Sequence, residues 1–527
     1  MAVMNKIPPT LAELGATNAA SWVAEHNDWL GKVVEQHNLF IKEYEVDKYQ
    51  AAYDGFLQSI DERDKSRGDD INHKLQTSLA PIIIDSVVDY MMGKPITWTV
   101  EADPKAEDAP KELVEAFRND ILQLLRSGDA QRVLAEQLRQ GSIAYYSGVI
   151  CWIDEAGDID FEEFPVQEMV PVYDTRGKLR MVLRIFAVEA DDGSGEITKV
   201  EMYDSKYVTY LVSQSAGGFE LDEEEQETGN PVEHYAGRIP VSFFTNGTPA
   251  KYADRKKRLG TSDLATVFSL IEELAGTVSD KANTVDRLLD QFLVFTNVTT
   301  TEDEVVKMRK ARAIVLKSKE SSAQFLAPSQ EDTAVENHMD RIEELTHQIS
   351  GTPKINDLSG ATATEIKMKY APLDIKAGKK DLYFSQAIRS FILNLTDLLN
   401  AKRIKEKSES ADVYDILTGE ATSSVPLYRA EWLQFTIQRN LPQNFAEIAQ
   451  IVAQLVGIVP DSYLYELLWF IDDPVAALAE MKKQKDADSK RQANASMSAM
   501  GYGEEFGSTG ADDPDDEEEE AGGPGAE

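Results

Sequence analysis

The chain has 527 residues, 42% hydrophobic and 28% charged, a globular composition with room for several domains or one elongated subunit. Its formal charge of −38, from 92 acidic against 54 basic side chains, excludes a protein that grips nucleic acid through a broad basic face. One cysteine, Cys151, excludes an intrachain disulfide framework. No apolar run approaches the roughly 18 residues of a membrane span, and Asn5, Lys6 and two prolines interrupt any leader, so a soluble intracellular product is expected.

The first sixty residues read as helical, with Trp22, Trp29 and Leu30 as anchors. Leu75, Leu79, Ile82, Ile83, Val87, Tyr90 and Met91 recur at three and four, which predicts an amphipathic helix stopped by Gly93 and Pro95. Ile96 to Val100 alternates as a strand does, and Pro110 to Gly141 reads as a further helical segment. From Ala144 to about Tyr210 the pattern is one of short strands. Val149–Ile153 and Ile159–Phe164 flank the turn signal Asp154-Glu155-Ala156-Gly157-Asp158, with Cys151 as a buried small hydrophobe, and Met181–Phe186 follows a turn at Arg176-Gly177. Gly217 to Asn230 reads as an exposed acidic loop, followed by a strand at Val241–Phe244.

Ser262 offers an N-cap, and a stripe from Leu264 to Phe292 predicts one sustained helix of roughly 45 Å. A small α/β unit follows, with strands near Phe292–Val298, Ala313–Leu316 and Gln324–Leu326 and a helix from Glu302 to about Lys310. A return helix spans Thr333–Ile349. After Gly351-Thr352-Pro353 and a loop, a long helix runs from Thr362 to about Ile404, with a kink expected at Pro372. Short strands are predicted from Val413 to Phe435. Three shorter helices are predicted at Phe445–Val456, Ser462–Phe470 and Pro474–Lys485. From Gly503 the chain carries eleven acids and no base, the composition of a disordered tail.

Catalytic motifs are missing from this sequence. Gly177-Lys178 lacks the rest of a phosphate loop, and no G-x-S-x-G, H-E-x-x-H or C-x-x-C occurs. The histidines are scattered, and Asp154, Asp158, Asp160, Glu162 and Glu163 have the wrong order for a calcium loop. No enzyme, metal or cofactor is expected.

Four places resemble the portal proteins of tailed phages, in particular those of Bacillus siphophages. Asn72-His73-Lys74 through Ile83 and Asp85 to Tyr90, Gly93 and Pro95-Ile96 resembles that family's amino-terminal block. Gly237-Arg238-Ile239-Pro240-Val241 with Phe244 and Asn246 is similar to its approach to a long helix. Leu345-Thr346-His347-Gln348-Ile349, Pro353 and Leu358-Ser359-Gly360 resemble its central loop, with a departure at Ala361-Thr362. Gln434 to Asn444 is similar to its last junction. Together these run from about residue 70 to 480.

The resemblance implies an α+β, predominantly helical fold with wing, stem, clip and crown, assembled into a ring (typically a dodecamer) around a central channel. Residues 1–260 and 362–440 would form the wing, the second part being a long kinked helix with strands. Residues 261–293 and 328–350 would be stem helices, 294–327 the clip, 351–361 a tunnel loop, 441–500 the crown and 501–527 the acidic tail. It also implies a conduit for packaging and ejecting double-stranded DNA at the capsid portal vertex of the virion, assembled in the host cytoplasm. Implied partners are the terminase large subunit, the major capsid protein, scaffolding protein and head-completion adaptors. A head or neck connector without a translocation role is the alternative.

Within this frame Lys354, Ile355, Asn356 and Asp357 would face DNA, Lys354 either touching phosphates transiently or standing as a simple exposed lysine. Glu272, Glu273, Asp280, Asp286 and Asp290 are candidates for an acidic channel lining that leaves the duplex unbound, or for the solvated face of an amphipathic helix. The cations Lys307, Arg309, Lys310, Arg312, Lys317 and Lys319 would dock the motor, touch DNA at the channel mouth, or bridge subunits. Leu382, Ile388, Phe391, Ile392, Leu395 and Leu398 are expected to help join subunits, and the tail to repel DNA or recruit scaffold.

Overall fold

The computed structural model describes residues 2–3, 7–66, 70–101, 110–189, 195–213, 217–222, 229–248, 260–289, 292–296, 301–311, 322–326, 332–354, 363–410, 426–440, 452–460, 464, 478, 480–485, 487 and 489. It divides into two units, Met1–Leu441 and Pro442–Glu527. In the second unit residues 452–455, 464, 478 and 480–485 are helical, within the three segments expected to be. The tail from residue 501 lies outside the described residues.

The first unit opens with strand β1 (Ala2–Val3) and helices α1 (Leu11–Leu14), α2 (Ala19–Glu43), α3 (Val46–Tyr53) and α4 (Gln58–Asp61). Helix α5 (Ala80–Met92) begins five residues later than the apolar period suggests. The reason is tertiary. Residues 71–79 run without helical structure, and the amides of His73 and Leu75 donate to side chains of a distant helix instead of to a preceding turn. Pro81, in the first turn, then suits the delayed start.

Strand β2 (Thr97–Val100) is followed by α6 (Lys111–Ser127) and α7 (Ala130–Ile143), two helices where one segment was expected. A Cβ on Gly128 would lie 2.4 Å from the Phe161 ring, so only glycine allows this approach. Asp129 has φ 49° and its side chain caps α7 at the Arg132 amide.

Next come β3 (Tyr146–Ile153), β4 (Ile159–Phe164), β5 (Met169–Tyr173), β6 (Leu179–Glu189), β7 (Glu196–Tyr203), β8 (Tyr207–Ser213), β9 (Phe219–Leu221), β10 (Val232–Glu233) and β11 (Val241–Thr245). They form a seven-stranded sheet of order β1-β5-β6-β7-β8-β10, with β9 also on β8, and a three-stranded sheet β11-β3-β4. Strand β9 lies in the segment expected to be an exposed loop. Phe219 is buried there, and the Asn27 side chain holds its backbone at N–H and C=O.

Two cores result. Trp22, Val23, Leu30 and Val33 of α2 pack on Val170, Val172, Met181, Leu183, Val200, Met202 and Leu211 of the larger sheet. A second and larger core joins α3 to α7 with the smaller sheet. Cys151 is buried within it, and burial pushes its thiol up in pKa.

Helix α8 (Phe268–Leu289) has 22 residues, about 33 Å rather than 45 Å. Strands β12 (Phe292–Thr296) and β13 (Ser322–Leu326) pair antiparallel and bracket α9 (Glu302–Ala311); the strand expected at Ala313–Leu316 lies outside the described residues. Helix α10 (Asp332–Ser350) packs back on α8. Helix α11 (Ala363–Ser410) continues through Pro372 for 48 residues. Strand β14 (Leu433–Thr436) pairs with β2, which ties the end of the first unit to its beginning. The architecture is α+β and mostly helical.

Ile388, Phe391, Ile392, Leu395 and Leu398 of α11 are all buried in this chain's own core. They are therefore unavailable to join subunits, contrary to expectation, because the smaller sheet and α6 cover them. Leu382 is different: it is 75% exposed, as are Ile375 at 63% and Met368 at 74%. Their spacing of seven puts all three on one helix face.

Candidate functional site

Four of the acids expected to line a channel sit on α8, and each has a basic residue of the same chain beside it, Lys or Arg in two cases and His in the other two. Glu272 lies 3.5 Å from Lys48 of α3, and Glu273 lies 3.6 Å from His338 of α10. Asp280 pairs with Arg63, whose guanidinium also donates to the Gly276 carbonyl at 2.9 Å. Asp286 lies 2.5 Å from His73 Nε2. Asp290 lies outside the described residues.

Arg63 and His73 lie in the two stretches without helical structure, residues 63–66 and 71–79, that reach α8. The His73 amide donates to Asn283 Oδ1 at 2.6 Å and the Leu75 amide to Ser279 Oγ at 3.0 Å. Asn72 joins the two stretches, accepting from the Lys65 amide and donating to the Arg63 carbonyl. Ser279 and Asn283 are buried here. Four residues apart, they are polar positions on a helix face whose partner is a backbone edge rather than an apolar surface.

At the other end of α10 the expected loop begins in a tight stop. Gly351 has φ 73°, and the amides of Gly351 and Thr352 both donate to the His347 carbonyl, the glycine-terminated helix end. Thr352 is buried, with its hydroxyl 2.7 Å from Ser350 Oγ and 3.1 Å from His347 Nδ1. Lys354, expected to touch DNA, donates to Glu343 of α10 at 2.9 Å. Ile355, Asn356 and Asp357 lie outside the described residues.

Beneath this stop lies a buried charged cluster. Asp263 precedes α8 and its carboxylate is 3.0 Å from both Lys376 and Lys380 of α11. Lys380 Nζ also donates to Ser142 Oγ at 2.8 Å and Asn246 Oδ1 at 2.5 Å, so two hydrogen bonds and the Asp263 ion pair compensate its buried charge. Asn246 turns its amide to Asp263 Oδ1 at 3.0 Å and the Thr261 carbonyl at 2.6 Å. Lys376 reaches the Ser350 carbonyl, the last of α10, at 3.1 Å. Burial opposes charge on Asp263, yet the two lysines hold its carboxyl well below the ordinary carboxylate range. Burial brings Lys380 down to about 8, against the pull of Asp263.

This cluster explains why α8 starts at Phe268. The Asp263 side chain is drawn inward to the lysines, and Ser262 Oγ accepts from the Leu264 amide without capping a helix. Residues 264–267 form turns before α8 begins. The close approach needs Gly260, since a Cβ there would sit 2.0 Å from the Tyr145 carbonyl. Tyr145 itself has φ 76° at the α7–β3 corner, and its carbonyl accepts from the Asn246 amide at 2.9 Å.

Sequence reading singled out Asn246 for another reason and missed the cluster. A signal was present: Lys380 falls within the apolar series Leu373, Ala377, Phe384, Ile388 and Phe391, a charge at a core position. Of the cations expected at a docking surface, Lys307 is exposed on α9, and Arg309 and Lys310 fall on the same helix. Arg312, Lys317 and Lys319 lie outside the described residues. Among the described residues no His, Cys, Asp or Glu group is arranged to hold a metal, and no helix is long and apolar enough to cross a membrane.

With this geometry in place, two comparisons bear on function. The family model described as Phage portal protein, SPP1 Gp6-like, matches residues 31–491. A curated relative, the portal protein of Bacillus phage SPP1, is 22% identical over 493 residues, covering 88% of this chain and 87% of that protein.

Proposed function

The chain belongs to the SPP1 Gp6-like family of phage portal proteins, and from that premise we propose that its copies close into a ring conducting double-stranded DNA into and out of a capsid. The match over 88% of the chain carries this reading, because it spans the paired helices, the loop between α10 and α11 and the long helix together. The role is that of a structural conduit. Nucleotide hydrolysis would come from a separate motor, the terminase large subunit.

In this reading α8 and α10 are the stem, β12–α9–β13 belongs to the clip, and residues 351–361 form the tunnel loop, with Lys354, Ile355, Asn356 and Asp357 nearest DNA. Residues 1–260 and 362–440 make the wing and 441–500 the crown. Glu272 and Asp280 then meet the channel as ion pairs and Glu273 and Asp286 beside histidines, with Asp290 beyond them. Pairing weakens a repulsion that salt already screens over about 8 Å, and the duplex passes without being held. The clip cations Lys307, Arg309, Lys310, Arg312, Lys317 and Lys319 dock the motor.

A ring of acidic subunits needs apolar contacts that a lone chain leaves uncovered, and Met368, Ile375 and Leu382 supply such a face. Contacts with the major capsid protein, scaffolding protein and head-completion adaptors follow from a place at the capsid vertex. Negative-stain imaging and mass photometry of the purified chain test the reading. Closed rings with an axial hole, twelve subunits being the expected number, support it. Compact monomers without an opening overturn it.

A further inference from the structure

The cluster around Asp263 joins four parts of the chain that are far apart in sequence: the end of α7 through Ser142, the segment after β11 through Asn246, the approach to α8 through Asp263 itself, and α11 through its two lysines. A fifth connection is of another kind. Lys376 shares its ammonium between Asp263 and the Ser350 carbonyl, so the start of α8 and the end of α10 meet at one side chain. The unpaired carbonyls at a helix C-terminus attract a cation, and here the cation comes from α11.

We propose that Lys376 is the positioning residue for the root of the 351–361 loop, locking the last turn of α10 to the foot of α8 so that the two helices and the loop root move as one body. Lys380 has a separate task. It is only 4% exposed at its side chain and holds Asp263, Ser142 and Asn246 together; it maintains the cluster through partners that all lie outside α10. Lys376 is more open, at 20%, and is the one lysine of the pair that reaches the loop root. Gly351 stands against α11 at the same place, where an added Cβ would lie 3.6 Å from the Pro372 carbonyl. The loop root therefore lies beside the α11 backbone and is fixed there by the Lys376 ammonium. Passage of DNA enters only through the channel reading above, on which that part of the proposal rests.

Hydrogen exchange on the assembled full-length protein tests it. In Lys376→Met, the Gly351 and Thr352 amides, which donate to His347, should exchange roughly tenfold faster or more, the loss expected for a charge-assisted hydrogen bond. The Cys151 amide, bonded to Pro240 in the sheet, should keep its rate, and Lys376→Arg should retain most of the protection. Should Lys376→Met fail to fold, Lys376→Gln, a donor without charge, gives the same comparison. Unchanged exchange at Gly351 and Thr352 in the neutral variants overturns the proposal. So does an equal rise at Cys151, which would mean general loosening. Wild-type rings that pass no DNA would overturn the channel reading and leave the exchange result standing.

Discussion

Helices α8 and α11 make an instructive pair. The first is rich in acids that look free in the sequence, yet Lys48, Arg63, His73 and His338 meet four of them. The second is rich in apolar residues that look alike in the sequence, yet they divide. Ile388, Phe391, Ile392, Leu395 and Leu398 are inside the core, whereas Met368, Ile375 and Leu382 are left bare. A charge pattern on one helix does not reveal its partners, and an apolar pattern does not reveal which turns the rest of the chain will cover. For a ring-forming subunit this matters, because only the uncovered part of a stripe is available to a neighbour.

The comparison is sharpened first at the covered half of α11. Phe391→Ala removes a ring packed edge-on against Phe161 and should destabilise the folded chain by about 3–5 kcal/mol, measured by denaturant unfolding. A loss below 1 kcal/mol would show that this half is not core. The buried join between the helices should show in acid. Asp263 is held ionised in the folded state, so its contribution is complete above the ordinary carboxylate pKa of 3.8 and is lost as pH falls below it. Unfolding followed from pH 5 downward should therefore be steeper in the wild type than in Asp263→Asn; parallel curves would remove the carboxylate from the account.

On α8, Arg63→Ala should destabilise by about 1–2 kcal/mol, because it deletes a buried guanidinium bond to the Gly276 carbonyl as well as the Asp280 pair. Exchange at the His73 and Leu75 amides should rise with it, and no rise would mean the segment holds without Arg63. The smallest effect on stability is expected on the bare half of α11. Replacing Met368, Ile375 and Leu382 together by Ser should change folding stability by less than about 0.5 kcal/mol per site while converting rings to smaller species in mass photometry. Intact rings would show that the neighbour binds elsewhere.

Much of this protein is written locally. The strand at Leu433–Thr436, the hairpin turn Asp154 to Asp158 between β3 and β4, the helix pair bracketing a small β unit and the long helix α11 follow from residue periodicity and turn chemistry, because each concerns neighbours within a few positions. The order of four sequence blocks was enough to suggest the portal family, and the absence of a phosphate loop pointed away from a motor. The tertiary structure alone decided where α5 and α8 begin, that 110–141 breaks at Gly128, and that the His73 and Leu75 amides bond to α8. It also decided the Asp263–Lys376–Lys380 cluster, whose members come from opposite ends of the helix pair. The reason is the range of the forces involved. Apolar faces repeat with the helix and can be counted, whereas an ion pair or a side-chain hydrogen bond to a distant backbone has no period, and Arg63 meets Asp280 across a separation of 217 positions in the chain.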